Sequence, residues 1–564
     1  MNPQMFARCV LVVALVQLEQ GQVASNPNIV LFLADDLGYG DLGCYGNDKA
    51  TTPNIDGLAG DGLRFTRMYT EPGDTSARAA ILTGQYPVRY GMLRDAKALP
   101  ILRNSDFHSV AQPGGLNGLN GTLLPTFLKY QGYRQAMIGK WNLGVGEGGE
   151  HLPLNLGFDL FYGTPVSHGP QCTLNDEFRI TDLDMLFSFS RRLLPVLIAL
   201  LVTSHFGLLR KPLAKFLLGV NVIAVIAYGS YLSFAVFNPK SCVWMHNQNI
   251  LEQPYVEENM TLRMTKKSLE FVSAMAKEKE PFFLFMSYLQ PHYPPFVSPW
   301  FRNRSGQGLY KDSVMEMDWS VGAILNKLKD LNVYKDTLII FASDNGAELT
   351  NPITKAQHPE GMRGSLRYFT GHSYDVLHLK GEKQTVLEGG IRVPAIITWP
   401  AVIQTQQQTS VIASLMDILP TIRDIVQPGF LLNVDGISLL PRLKDPRTAV
   451  SSRALMHYCD ISGVAAVTFD KYKVYSRSCS GDIFNPPLLF DVEKDPTESK
   501  SLSFNDHETM VSKVLSAVDL HKSSLSPYPS QFTQLLRPWL YLCHNPPFCK
   551  KQLTEKEDFH GLFE

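Results

Sequence analysis

The sequence predicts an α/β protein: a large, mostly parallel sheet flanked by helices, a small C-terminal antiparallel sheet, and an inserted transmembrane helical hairpin. Three observations predict it. Four short apolar runs, Asn28 to Leu33, Gln135 to Ile138, Phe282 to Tyr288 and Thr337 to Ser343, each end in polar residues and are separated by long helix-capable segments. Past residue 440 the pattern changes to short strands at Ala465 to Tyr475 and Leu488 to Val492, with a helical stretch from Asp506 to Lys522. In mid-chain, the apolar stretches Leu193 to Leu209 and Phe216 to Phe237 enclose the basic tip Arg210, Lys211 and Lys215.

Residues 1–25 carry Arg8, the apolar core Cys9 to Leu18 and the small residues Ala24 and Ser25, the pattern of a cleaved signal peptide. Residues 26–445 follow as the main α/β domain, interrupted at 185–238 by the hairpin, and 446–564 as the C-terminal subdomain. The second hairpin stretch, 22 residues without a formal charge, spans roughly 33 Å at the helical rise, enough for a hydrocarbon core. With lumenal flanks its basic tip faces the cytoplasm, the side that positive residues favour. Sequons at Asn120, Asn259 and Asn303 agree with a lumenal chain.

Of eight cysteines, Cys9 leaves with the signal. Cys172 with Cys242, Cys459 with Cys479, and Cys543 with Cys549 could pair in an oxidising compartment, although spacing does not fix connectivity; Cys44 is then left as a buried free thiol. Lys and Arg total 52 against 53 acidic residues. That balance leaves no global field to attract nucleic acid, so no nucleic-acid partner is expected.

In open α/β sheets ligands gather beyond the carboxyl ends of strands. Asp35-Asp36 and Asp344-Asn345 stand at two such ends, offering three carboxylates and an amide oxygen, the hard donors a cation such as Ca²⁺ prefers. Arg78, Lys140 and Lys383 supply positive charge, and His292 is a candidate proton donor. Cations beside a metal suit a tetrahedral oxyanion, sulfate or phosphate.

The stretches Pro27 to Gly46, Thr52 to Asp56, Arg78 to Gly84, Gly139 to Gly144, Gln290-Pro291-His292, Ser343 to Gly346 and Glu388 to Pro394 resemble successive signatures of the sulfatase family, in the family's order and over nearly the whole chain. The hairpin, Pro486 to Asp491 and Arg537-Pro538-Trp539 resemble its steroid-sulfatase and arylsulfatase membrane-associated subgroup. The resemblance implies an alkaline-phosphatase-like fold and one Ca²⁺ held by Asp35, Asp36, Asp344 and Asn345. It implies a sulfated hydrophobic small molecule, an aryl or steroid sulfate, whose sulfate or leaving group meets Arg78, Lys140, His292 and Lys383. It also implies membrane association through the hairpin at the lumenal face of the endoplasmic reticulum.

The resemblance breaks at the family signature CxPxR, whose cysteine becomes formylglycine. Counting back from Arg78 gives Asp74-Thr75-Ser76-Ala77-Arg78, with neither cysteine nor proline. Gln85 stands where the family has arginine, and Asn142 where GKWHLG has histidine. Formylglycine works as a gem-diol, one hydroxyl attacking sulfur and the other later expelling sulfate. A carboxylate has no second hydroxyl, and Asn142 cannot serve as a base. Asp74 is expected to cap the helix that opens there, and Thr75 stands at the wrong spacing from Arg78 for a nucleophile of the alkaline-phosphatase kind. Two functions follow: a sulfuric ester hydrolase with impaired turnover, or a non-catalytic relative that binds Ca²⁺ and a sulfated ligand.

Overall fold

The structure, a computed structural model, describes residues 26–95, 123–169, 242–349, 379–448 and 453–563 apart from isolated positions, scattered residues between these blocks, and the backbone of 365–369 and 374–378. The expected signal peptide and most of the expected hairpin, 185–238, lie outside the described residues. Among the described residues no helix is long and apolar enough to cross a membrane.

Eleven strands form the main sheet: β1 (Asn28–Ala34), β2 (Leu63–Tyr69), β3 (Arg134–Lys140), β4 (Leu160–Thr164), β5 (Trp244–His246), β6 (Asn249–Glu252), β7 (Phe282–Ser287), β8 (Thr337–Ser343) and, after a separate hairpin of β9 (Ser365–Phe369) and β10 (Tyr374–His378), β11 (Arg392–Thr398), β12 (Gln407–Thr409) and β13 (Ala413–Ser414). The four apolar runs become β1, β3, β7 and β8, which lie side by side in the order β8-β1-β7-β3 and are parallel throughout. Their apolar continuity is explained by cover on both faces. Ile29, Leu31 and Leu33 of β1 point into one core with Ile81, Phe127 and Leu419 of three helices. Val30, Phe32 and Ala34 point into a second core with Val272 and Val321, from the packed helices Met260–Glu278 and Leu309–Asp330.

The sheet is mixed: six of its strand pairings are parallel and four are antiparallel. β11 runs antiparallel to both β8 and β2. β5 and β6 are joined across only Asn247 and Gln248, a connection that permits antiparallel pairing alone. The C-terminal sheet is antiparallel as expected, in the order β14 (Ala454–Tyr458), β15 (Val464–Phe469), β16 (Tyr472–Arg477), β17 (Ile483–Asp491). The single run read at Ala465 to Tyr475 is a hairpin, turned at Asp470 with φ 53°. Helix Glu508–Ser523 covers this sheet with Val511, Val514 and Val518.

Disulfides join Cys172 to Cys242, Cys459 to Cys479 and Cys543 to Cys549. Cys44 is free and half-buried rather than buried.

Candidate active site

The carboxyl ends of β1, β3, β7 and β8 deliver their polar tips to one rim. Asp35 and Asp36 leave β1; the Asp35 amide donates to Gln290 O beyond β7, and the Asp344 amide donates to Ala34 O. Asp36 adopts φ 64°, a conformation unusual for a side-chain-bearing residue. It is held there by its amide, which donates to Asp344 Oδ1 at 3.1 Å, and by the Leu37 amide, which donates to Ser343 Oγ at 2.9 Å. On β3, Gly139 has φ 108°, and a Cβ there would lie 1.8 Å from Ser287 O of β7. Only glycine allows β3 to approach so closely and bring Lys140 to the rim.

Within this frame the residues singled out in the sequence come together. Lys140 Nζ donates to Asp35 at 2.7 Å and to Asp74 Oδ2 at 2.6 Å. Arg78 Nη2 donates to Asp344 Oδ2 at 2.9 Å, and its Nη1 to Ser287 Oγ and the Lys140 carbonyl. Lys383 Nζ lies 2.9 Å from Asp36 Oδ1, and His292 Nε2 lies 3.8 Å from Asp36 Oδ2. Asn345 Nδ2 donates to Asp36 Oδ1 at 2.6 Å, and Asn142, at φ 53°, donates through Nδ2 to Asp74 Oδ2 at 3.1 Å and to Thr75 Oγ1 at 2.9 Å. All ten are buried.

Asp74 departs from its expected role as a cap. Gly73 is the N-cap of helix Asp74–Thr83, and Asp74 is its first helical residue. Its carboxylate turns instead to Lys140, because a buried ammonium is a stronger partner than a helix amide.

Burial alone would lower the Lys140 pKa, but Asp35 and then Asp74 hold it above the ordinary lysine value. Burial, followed by Lys383 and Lys140, drives His292 well below its usual value. Burial, reinforced by Asp35 and opposed by Arg78, pushes Asp344 up to about 7.

His168 belongs to this neighbourhood and escaped the sequence reading. It is buried, its Nε2 lies 2.8 Å from Pro294 O, and its ring is 5.1 Å from that of His292. It follows β4, the next parallel strand beyond β3, so the rule applied to the other strand tips pointed to Ser167-His168 as well.

The donor set suits a divalent cation. Oxygens of Asp35 and Asp36 and a nitrogen of His292 lie within 4.8 Å of one another, a possible metal-binding group. Asn345 Oδ1 is buried with no hydrogen-bond partner among the described residues, an unused hard acceptor beside three carboxylates.

A mixed sheet whose parallel strand ends gather acids, cations and an amide over two buried cores has the alkaline-phosphatase-like sulfatase fold. The crystal structure of a sulfatase from Pseudoalteromonas sp. shares the fold, with a TM-score of 0.65 over 94% of this chain and 96% of that one at 23% identity. Residues 27–427 match the sulfatase family, and 450–551 match the C-terminal region of aryl-sulfatase. Human steryl-sulfatase is 34% identical over 566 residues, covering 93% of each chain; human arylsulfatase H is 34% identical over 576 residues, covering 95% of this chain and 98% of that one. The chain belongs to the sulfatase family, a metal-dependent family whose reaction is the hydrolysis of sulfuric esters.

Proposed function

We propose that this chain is a sulfatase of the arylsulfatase and steroid-sulfatase type whose turnover is impaired at the nucleophile. The observation that carries the reading is the position of Asp74: four residues before Arg78, at the start of the helix, with its carboxylate 2.6 Å from Lys140 Nζ. We assign Asp74 to the formylglycine position and Asn142 to the position of the family histidine. Asp35, Asp36, Asp344 and Asn345 would hold one Ca²⁺, which when bound stabilises negative charge developing on the ester. Arg78, Lys140, Lys383 and His292 would face the sulfate or its leaving group.

We infer a sulfated hydrophobic small molecule, an aryl or steroid sulfate, as the substrate class. We also retain the division into 26–445 and 446–564 and the hairpin at 185–238 as a membrane anchor on the lumenal face of the endoplasmic reticulum. Two observations support this placement. Phe216 and Ile223 are helical and each 67% exposed, apolar surface that a lipid phase would cover. Three disulfides agree with an oxidising compartment.

A second reading, a non-catalytic relative that binds Ca²⁺ and a sulfated ligand, is favoured by the engagement of Lys140 with Asp74. Assay of the purified protein with aryl sulfate and aryl phosphate, with and without Ca²⁺, tests both. Turnover is expected to be absent or several orders of magnitude below that of D74C/S76P/N142H carrying formylglycine. Aryl sulfate turnover by the unaltered chain at the rate of active relatives overturns the reading.

A further inference from the structure

Lys140 and Asn142 both donate to one anion that the chain itself supplies, the Asp74 carboxylate. Lys140 has three N–H donors. They face three acceptors, Asp35 Oδ1 at 3.0 Å, Asp35 Oδ2 at 2.7 Å and Asp74 Oδ2 at 2.6 Å. Asn142 Nδ2 also points at Asp74 Oδ2. Asp74 and Lys140 are both fully buried, so water does not weaken the pair.

We infer that the Asp74 carboxylate is a tethered occupant of the oxyanion cradle, and that it closes the site to sulfate and other tetrahedral oxyanions while leaving the cation site intact. This rests on the reading of the cluster as a sulfatase site and narrows it: anion exclusion, in addition to the missing nucleophile, separates this chain from a working hydrolase. The charge count points the same way. With a cation bound and its carboxylate ligands ionised, Asp35, Asp36, Asp74 and Asp344 stand against Arg78, Lys140 and Lys383, four negative charges to three positive. A divalent ion leaves a surplus of only one positive charge, and removing the Asp74 charge doubles it. An untethered anion must displace a partner that loses no translational freedom on binding. The cradle keeps the donors of an oxyanion site, since Arg78 Nε is buried without a hydrogen-bond partner among the described residues. Removal of Asp74 therefore frees one donor each on Lys140 and Asn142, while Arg78 keeps an unused guanidinium donor.

The test is calorimetric titration of inorganic sulfate and orthovanadate into the full chain and into D74A and D74N, with and without Ca²⁺. Either variant is expected to bind the oxyanions at least about tenfold more tightly than the unaltered chain. If both variants keep the unaltered circular dichroism spectrum and Ca²⁺ uptake yet gain no anion affinity, the inference fails. It fails equally if the unaltered chain binds sulfate as tightly as they do. D74N retains the side-chain volume and carries the comparison if D74A does not fold. Absence of Ca²⁺ binding in the unaltered chain counts against the metal assignment instead; the anion titrations without Ca²⁺ still decide the present point.

Discussion

Glu71, three residues before Asp74, is 4% exposed and its Oε2 has no hydrogen-bond partner among the described residues. Burial, with a smaller contribution from Asp435, raises its pKa from 4.5 to about 8. Between those values the folded chain keeps a proton that the unfolded chain has released. Stability from this group is therefore complete below the lower value and is lost as pH rises through the upper one. E71Q is expected to melt with the unaltered chain near about pH 4 and several degrees above it near about pH 9, as differential scanning calorimetry across pH would show. Gly139 makes a second residue-scale prediction. With Ser287 O where a Cβ would lie, G139A must shift β3 and with it Lys140. A loss of about 3 kcal/mol in urea unfolding is expected. On the proposed Ca²⁺ site, Ca²⁺ is expected to raise the melting temperature of the unaltered chain but not that of D344N, which removes one hard anionic donor from the cluster.

At the scale of elements, Cys172–Cys242 ties together the two ends of the segment that contains the expected hairpin, across a sequence separation of 70. Loop-closure entropy sets the stabilisation from such a link at about 4 kcal/mol. C172S/C242S is expected to unfold at lower denaturant by that order, measured under non-reducing conditions. The C-terminal sheet reaches the active-site frame through a buried ion network. Lys473 of β16 has no exposure and lies 2.9 Å from Glu388 and 3.2 Å from Glu498. Glu498 also accepts from the Glu388 amide at 2.9 Å, just beyond the loop that carries Lys383. K473M leaves buried Glu498 facing Glu388, which still pairs with Arg392 at 3.2 Å, and is expected to cost about 3 kcal/mol. The double variant K473M/E498Q should recover part of that loss.

Across the whole molecule, the four apolar runs were legible because strands covered on both faces need near-continuous apolar sequence, and that requirement is local. Their polar tips were legible for the same reason: a buried strand must end where the chain turns polar. The antiparallel courses of β11 and of β5 with β6 were not, because strand direction is decided by connections and by which neighbour a strand meets. The run 465–475 passed for one strand because its turn at Asp470 and Lys471 carries no glycine or proline. His168 was less legible because β4, five residues of mixed burial, lacks the continuous apolar run that marks the other parallel strands and their tips.

The sequence alone determined the family, through ordered signatures along most of the chain, and the residue types available at the rim, including the aspartate four residues before Arg78. Tertiary structure alone decided what that aspartate does. Helix capping is a local interaction that sequence position suggests, whereas an ion pair between residues 74 and 140 exists only once β3 and the helix after β2 are packed. In that buried setting the nearest opposite charge outweighs the local backbone amides, so the side chain follows the fold rather than its sequence neighbours.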